Sequence, residues 1–209
     1  MAVDLIDRAD AAVFLGRLLR LDPAALVRLC PAGPGRVALW ATLPWGVLVT
    51  RTVAGTVDRD RVAQASALLD GVTQPPALDD RWRGALPPAT ARAVERLPAS
   101  VVGGAAAAAA QALREVGSTG LKGRAVGQRV LRDALLDHIV VSGVSDVDGA
   151  PFAIPQRLVQ GLVRMGFLGV DEVTVVTAGT WTGLAGSFGT AWFRTPVLSV
   201  RPIASRSIG

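Results

Sequence analysis

The sequence predicts an α+β fold in which antiparallel β-meanders pack against helices, and three observations support this class. Residues 27–52 and 173–195 read as imperfect copies of one another, since Trp45 matches Phe188 and a glycine follows each. A helix-like apolar run precedes each copy. Strand patterns follow one another through turn residues, without a regular alternation of strand and helix. We therefore expect two pseudo-symmetric helix-plus-meander lobes, in which each copy covers the apolar face of the other.

Residues 1–70 are expected to form the N-terminal lobe, a helix followed by a three-stranded meander and a second helix. Asp7 or Asp10 can cap the first helix, whose apolar residues recur at helical spacing up to about Leu21. The predicted strands are Leu26–Pro31, Val37–Leu43 and Gly46–Val53, bounded by glycine and proline. Asp58 is expected to cap the second helix, which carries Val62, Ala65 and Leu69 on one face.

Residues 71–92 are expected to connect this lobe to the rest of the chain along the surface. The segment holds several prolines and an aspartate pair, and it shows no sustained hydrophobic period. We expect Trp82 to pack onto a neighbouring face rather than to act as a recognition residue.

Residues 93–209 are expected to form the C-terminal part, either as a lobe of its own or as one continuous domain with residues 1–70. The predicted elements are a strand over Ala93–Leu97, a helix from Pro98 or Ser100 to Val116, a break over Gly117–Gly123, a helix from Arg124 to about Asp137, a hairpin of Ile139–Ser142 with Pro151–Ile154, a helix from Pro155 to Gly166 or Gly169, and strands over Val173–Thr177, Trp181–Leu184, Thr190–Arg194 and Val197–Arg201. Together with the N-terminal elements they make helices and antiparallel meanders that stay segregated along the chain.

Three segments resemble a family of actinobacterial proteins that has no established activity. They are RADAAVFLGRLLRLDPAALVRL near the N-terminus, AVGQRVLRDALLDHI in the centre, and IPQRLVQGLVRMGFLG before the last meander. The resemblance covers most of the chain and implies a bacterial source with a GC-rich genome. It implies no catalytic or binding residues.

Composition predicts a folded protein of the cytoplasm. Half of the residues are hydrophobic and 19% are charged, which is typical of a globular chain. The N-terminus holds early acids and no basic n-region before an apolar stretch, so we expect no signal peptide. The longest apolar run, Val101–Ala110, is too short and too rich in alanine to span a bilayer, and we expect no membrane partner.

No complete catalytic motif is present, and the sequence predicts a protein that is not an enzyme. Ser187 lies in a near match to the nucleophile elbow, but no Asp, Glu or His follows it. Cys30 and His138 are the single thiol and the single imidazole, and a strand cysteine and a helix-end histidine explain them without catalysis. The glycines of residues 117–123 lack the order of a phosphate-binding loop. With one histidine and one cysteine we expect no metal and no cofactor.

Two hypotheses of binding function follow. In the first, a protein partner or a second copy docks on an exposed edge or apolar patch, for which the candidate residues are Trp40, Trp45, Trp181 and Trp192. The modest net charge of +5 and the lack of a nucleic-acid-binding signature favour this hypothesis.

In the second hypothesis a basic helix and the C-terminal arginines bind nucleic acid. The candidate residues are Lys122, Arg124, Arg129, Arg132 and Arg201. Arg124 and Arg132 lie eight residues apart, on one helical face that can contact phosphates. A solvated helix face explains the same pattern equally well, because Asp133 and Asp137 follow directly.

Overall fold

The computed structural model of the protein describes residues 3–119, 128–145 and 149–195, and it confirms the α+β class. The helices are α1 Arg8–Leu21, α2 Ala65–Leu69, α3 Ala99–Thr119, α4 Gln128–Asp137 and α5 Gln156–Arg164. The strands are β1 Val3–Leu5, β2 Leu26–Pro31, β3 Arg36–Thr42, β4 Leu48–Val57, β5 Arg61–Gln64, β6 Arg92–Pro98, β7 Ile139–Val144, β8 Pro151–Pro155, β9 Glu172–Ala178, β10 Trp181–Gly186 and β11 Gly189–Arg194.

Within the described ranges, a nine-stranded antiparallel sheet runs through the molecule. Its order is β5-β2-β3-β4-β11-β10-β9-β6, with β1 paired to the far end of β4, and β7 and β8 form a separate hairpin. The central pairing joins β4 to β11, where Thr50 lies opposite Thr190 and Leu48 opposite Trp192. The N-terminal and C-terminal meanders are therefore halves of one sheet.

The sequence repeat has the same order of elements in both halves. Helix α1 precedes the meander β2-β3-β4, and α5 precedes the meander β9-β10-β11. In each half the third strand lies at the centre of the sheet, and the first strand pairs outward with β5 or β6. This arrangement agrees with the two pseudo-symmetric lobes predicted from the sequence.

The main core lies between the sheet and the helices, on what we call the helix face. Asp7 caps α1, since its Oδ1 accepts a hydrogen bond from the Asp10 amide at 3.0 Å. The buried side of α1 contributes Phe14, whose ring stacks on Phe167 with a centroid distance of 6.3 Å. Arg17 Nη1 donates to the Met165 carbonyl at 2.6 Å, so α1 is fastened to the end of α5. One continuous cluster of buried side chains includes residues from both halves.

The other side of the sheet, the open face, is crossed by a strap formed by residues 78–91. The strap begins beside β5, where the Leu78 amide donates to the Val62 carbonyl and the Val62 amide donates to Asp79 Oδ1, at 2.9 and 2.6 Å. It ends at β6, the opposite edge of the sheet. Trp82 and Leu86 pack onto the open face on the way, as expected for Trp82.

Some predicted element boundaries were wrong. The helix expected after Asp58 is a strand at first, because Arg61–Gln64 pairs with β2, and only Ala65–Leu69 is helical. Helix α3 continues through Thr119, so the start of the predicted break at Gly117 is helical. The last helix begins at Gln156 after Pro155 and ends before Gly166, whose φ of 62° favours glycine. Residues 120–127 and the strand expected over Val197–Arg201 lie outside the described residues.

Candidate interaction surfaces

A cluster of indole rings lies on the open face of the sheet. Trp40, Trp82, Trp181 and Trp192 form this tryptophan cluster, and they pack with Leu48 and Ala178. Trp192 is only 6% exposed, whereas the other three rings are half-buried. The cluster spans both halves of the sheet, because Trp40 lies on β3 and Trp181 on β10. Of the four tryptophans predicted as an interaction patch, the structure brings three together here.

Charged groups border the tryptophan cluster on the β2 side. The Arg28 guanidinium lies 6.0 Å from the Trp82 ring centroid, and its Nε donates to Asp60 Oδ2 at 3.1 Å. That hydrogen bond raises the pKa of Arg28. Cys30 lies next to Arg28 on the same face, and burial, with a further contribution from the Asp60 charge, raises the pKa of its thiol from 9.0 to about 11. The thiol is therefore protonated at neutral pH, the opposite of what a nucleophilic cysteine needs.

Trp45 lies apart from the other three, on the helix face of the sheet. Its ring packs against the main core from the turn between β3 and β4. Trp45 and Arg157 are joined twice, since Trp45 Nε1 donates to the Arg157 carbonyl at 3.1 Å and Arg157 Nη1 donates to the Trp45 carbonyl at 2.8 Å. The expectation of a single patch of four tryptophans was therefore wrong, because Trp45 follows β3 in a turn that folds toward α5.

A groove of about 760 Å³ opens beside Trp45. Its walls come from α3, α4, α5 and the turn between β3 and β4. Arg157 lies in the wall, where it forms an ion pair with Asp137 and stands 4.9 Å from the Phe193 ring centroid. Sequence reasoning missed this groove, because the glutamines at positions 156 and 160 of α5 look like solvated side chains until α3 packs over them.

The residues predicted to bind nucleic acid are only partly described. Lys122, Arg124 and Arg201 lie outside the described residues, and at Arg129 and Arg132 the structure describes the α4 backbone alone. Their role stays a prediction. Other arginines do lie on the helix face: α1 and α5 together carry five arginines and one aspartate, and Arg20 and Arg164 are exposed.

The three side chains that the sequence analysis considered for catalysis, those of Cys30, His138 and Ser187, do not form a catalytic pair. Cys30 lies on the open face of β2, whereas His138 lies between α4 and β7 and its backbone carbonyl accepts from the Gln156 amide at 2.7 Å. Ser187 lies in the turn between β10 and β11 rather than in a turn that leads into a helix.

Within the described ranges there is no group of three side chains able to hold a metal ion. In the same ranges no helix has the length and apolar character needed to cross a membrane.

The fold is similar to that of bacterial DNA polymerase sliding clamps. The sliding clamp of Caulobacter crescentus matches 97% of this chain and 67% of its own, with a TM-score of 0.54 and 11% sequence identity. The β subunit of the Streptococcus pyogenes DNA polymerase matches 93% of this chain and 64% of its own, with a TM-score of 0.58 and 10% identity. The DNA polymerase III β subunit of Thermotoga maritima matches 93% and 63%, with a TM-score of 0.53 and 10% identity. At these identities the similarity establishes the fold alone, and the chain spans about two thirds of the length of these proteins.

The chain belongs to the family described as Domain of unknown function (DUF8185), whose model matches residues 86–198, more than half of the chain. A second model, Domain of unknown function (DUF8010), matches residues 2–94. The two matches overlap where the strap leads into β6. No curated protein matches the chain in sequence. The resemblance to actinobacterial proteins stays a prediction.

Proposed function

We propose that this protein is a non-catalytic interaction module of the clamp fold, which associates with a second copy of itself through the open face. The observation that carries the proposal is the clamp-like fold over 93–97% of the chain, combined with a half-exposed tryptophan cluster at the centre of the sheet. The structural neighbours are named as sliding clamps and as subunits of a polymerase, that is, as proteins that work by association.

The composition of the open face supports association. Tryptophan and arginine are the residue types that contribute most to the binding energy of protein interfaces. Here Trp181 lies opposite the exposed Arg194 across β10 and β11, and Arg28 lies beside Trp82. A face that carries both rings and guanidinium groups is self-complementary, because a two-fold axis can place the cations of one copy over the rings of the other.

The edge strand β6 is a poorer candidate for self-association. A β-bulge interrupts its register between Ala93 and Glu95, the strand carries Arg92 and Arg96, and it ends at Pro98. Bulges, charges and prolines are the features that keep sheet edges from pairing with other sheets. We therefore place the contact between copies on the face of the sheet and not at its edge.

Sedimentation equilibrium over a wide range of protein concentration tests this proposal. We expect a monomer–dimer equilibrium, and we expect Trp181→Ser to raise the dimer dissociation constant by about tenfold or more. Val170→Ser is the matched control, since Val170 is 93% exposed and lies outside the tryptophan cluster. A monomer at every concentration, or equal effects of the two substitutions, would refute self-association through the open face.

A second candidate function is association with DNA, favoured by the arginines of α1 and α5 and by the clamp-like fold. Arg20 and Arg164 are exposed near the C-terminal ends of the two equivalent helices. Such cations bind phosphates without regard to sequence, in a salt-dependent manner. The predicted set Arg124, Arg129 and Arg132 would act in the same way.

Retardation of random duplex DNA at several salt concentrations tests the second candidate. We expect binding that weakens steeply with salt and that is reduced by Arg20→Ala with Arg164→Ala, or by the triple change of Arg124, Arg129 and Arg132 to alanine, depending on which surface makes the contact. Failure to retard DNA at low salt would exclude this function.

A further inference from the structure

The groove beside Trp45 has a rigid apolar wall. Trp45 and Arg157 hold each other through two hydrogen bonds, of 3.1 and 2.8 Å, so the indole ring is fixed before any ligand arrives. Leu135 and Leu136 of α4 line the groove as well, and Ala109 of α3 leaves room because its side chain is small. Such preorganisation favours binding, because little side-chain freedom is lost when a ligand enters.

Two glutamines of α5 place amide groups in the wall of this groove. Gln156 Nε2 donates to the Ala105 carbonyl at 3.3 Å, and Gln160 Nε2 donates to the Ala106 carbonyl at 3.4 Å. Both side chains line the groove. Because α3 takes up a donor of each amide, the oxygen of each amide is the atom left to accept a hydrogen bond from a ligand.

The side-chain oxygen of Gln156 accepts no hydrogen bond from the described residues. Its side chain is only 2% exposed, and this oxygen, Oε1, is therefore buried without a hydrogen-bond partner among the residues that the structure describes. A buried acceptor without a donor is unfavourable, because the cost of removing it from water is not offset. The neighbouring Arg157 Nε is also buried, and no described residue accepts a hydrogen bond from it. Gln156 and Arg157 therefore hold a buried acceptor and a buried donor on adjacent residues behind the wall, which is the complement of a peptide group.

The spacing of the two glutamines fits an extended chain. Four residues along a helix rise about 6 Å, whereas the N–H groups on one side of an extended peptide recur about every 6.6 Å. Two successive N–H groups of an extended segment that runs along α5 could therefore reach Gln156 and Gln160. The rim carries both signs of charge, because Asp133 and Asp137 of α4 and Arg157 and Arg164 of α5 all line the groove, and Asp137 is paired with Arg157.

We propose that this groove binds an extended peptide segment of another protein, with an apolar side chain against Trp45 and backbone N–H donors toward Gln156 and Gln160. The site lies on the helix face, away from the tryptophan cluster, so it does not depend on self-association through the open face.

The test is to select peptides from a random heptapeptide library displayed on phage, with the full-length protein as the target. We expect the selected peptides to share an apolar residue and to change the fluorescence of the protein on titration. Ala109→Trp fills the groove and should weaken their binding by about tenfold or more, whereas Ala107→Trp, on an exposed position of the same helix, should leave it unchanged.

A second pair of substitutions separates a binding role of the glutamines from a role in folding. Gln160→Leu should weaken the selected peptides by about fivefold to tenfold through the lost acceptor, and Gln74→Leu, at an exposed position outside the groove, should have no effect. Circular dichroism checks that each variant is folded. If no peptide is enriched, if only drug-sized fragments bind, or if the peptides bind the folded Ala109→Trp and Gln160→Leu variants as tightly as the unaltered protein, the proposal is wrong. Dimerisation that persists in those variants shows that such a failure concerns the groove and not the open face.

Discussion

Gly183 explains how a large indole ring fits into the middle of the open face. It lies opposite Trp192 across β10 and β11, and opposite Val176 across β9 and β10. A Cβ atom at position 183 would stand 2.7 Å from Trp192 Cε3 and 2.8 Å from Val176 Cγ2, closer than side chains pack. The missing side chain therefore lets the ring of Trp192 approach β10 and become buried.

We expect Gly183→Ala to lower the free energy of unfolding by about 1–3 kcal/mol, because the new methyl group overlaps two neighbours in a packed cluster. Gly104→Ala is the control: no atom of the described residues lies within 4 Å of the position that its Cβ would take, and it sits in helix α3. In a helix interior that change should raise stability by up to about 1 kcal/mol. Urea denaturation of the two variants would contradict this account if both shifted stability in the same direction.

The buried thiol of Cys30 gives a prediction that depends on pH. Since burial raises its pKa from 9.0 to about 11, the folded protein holds the thiol proton at pH values where an unfolded chain has begun to lose it. Alkylation by iodoacetamide at pH 8 should therefore be about a hundredfold slower in the folded protein than in urea, through the thiolate fraction alone. The raised pKa also makes the free energy of unfolding depend on pH. Between pH 9 and 11 the folded state retains a proton that the unfolded chain has lost, so stability falls as the pH rises through that window. Fast alkylation of the folded protein near neutral pH would show that the thiol is activated instead.

At the scale of elements, local pattern was sufficient where a segment pairs with its neighbour in the sequence. The strands of both meanders and helix α1 were predicted because turn residues and apolar periods mark them directly, and Asp7 is one of the two candidate caps. Strand β5 was missed because residues 61–64 are short, and their spacing with Ala65 and Leu69 fits a helix. Residues 61–64 form a strand because Val62 and Ala63 pair with the outer edge of β2, and no local sequence pattern reveals this pairing.

The candidate sites were harder to predict than the strands. Three of the tryptophans meet because β3, β10 and β11 share one face of one sheet, and this depends on the β4–β11 pairing between residues about 140 positions apart in the sequence. The groove needs α3, α4 and α5 to pack around a turn of the other half. Nothing local distinguishes Gln156 and Gln160 from solvated glutamines until α3 covers them.

An ion pair fastens helix α1 to strand β4 and supplies a prediction for these elements. Arg51 projects from β4 to the helix face, where its Nε donates to Asp10 Oδ2 at 3.0 Å and its guanidinium lies 5.7 Å from the Phe188 ring centroid. The Arg51 side chain is 13% exposed, so its loss would leave Asp10 partly buried and unpaired. We expect Arg51→Ala to lower the free energy of unfolding by about 2–3 kcal/mol.

Arg96→Ala provides the comparison for Arg51. The Arg96–Glu172 pair is 3.9 Å apart and its side chains are 74% and 58% exposed, so its loss should change stability by less than about 1 kcal/mol. Chemical denaturation of the two variants measures the difference directly. Equal effects would mean that the contact between α1 and β4 contributes no more than a surface ion pair.

At the scale of the whole molecule, the two halves share both a sheet and a core. The β4–β11 pairing makes one sheet of two meanders, and Leu39 of the first half and Leu184 of the second belong to one cluster of buried side chains. The two family models nevertheless divide the chain near β6. The division in sequence therefore follows the repeat, whereas the packing joins the two repeats.

This shared core predicts that the halves unfold together. Leu39→Ala in β3 and Leu184→Ala in β10 are matched substitutions of fully buried leucines in the two halves, and each should lower the free energy of unfolding by about 2–5 kcal/mol. If unfolding is a single cooperative event, either change accelerates the slowest amide hydrogen exchange in β2–β3 and in β9–β10 by the same factor, because both sets of amides exchange through the same global opening. If each substitution accelerated exchange only in its own half, the two repeats would be independent folding units, and the central pairing of Leu48 with Trp192 and of Val49 with Ala191 would be a docking contact between them.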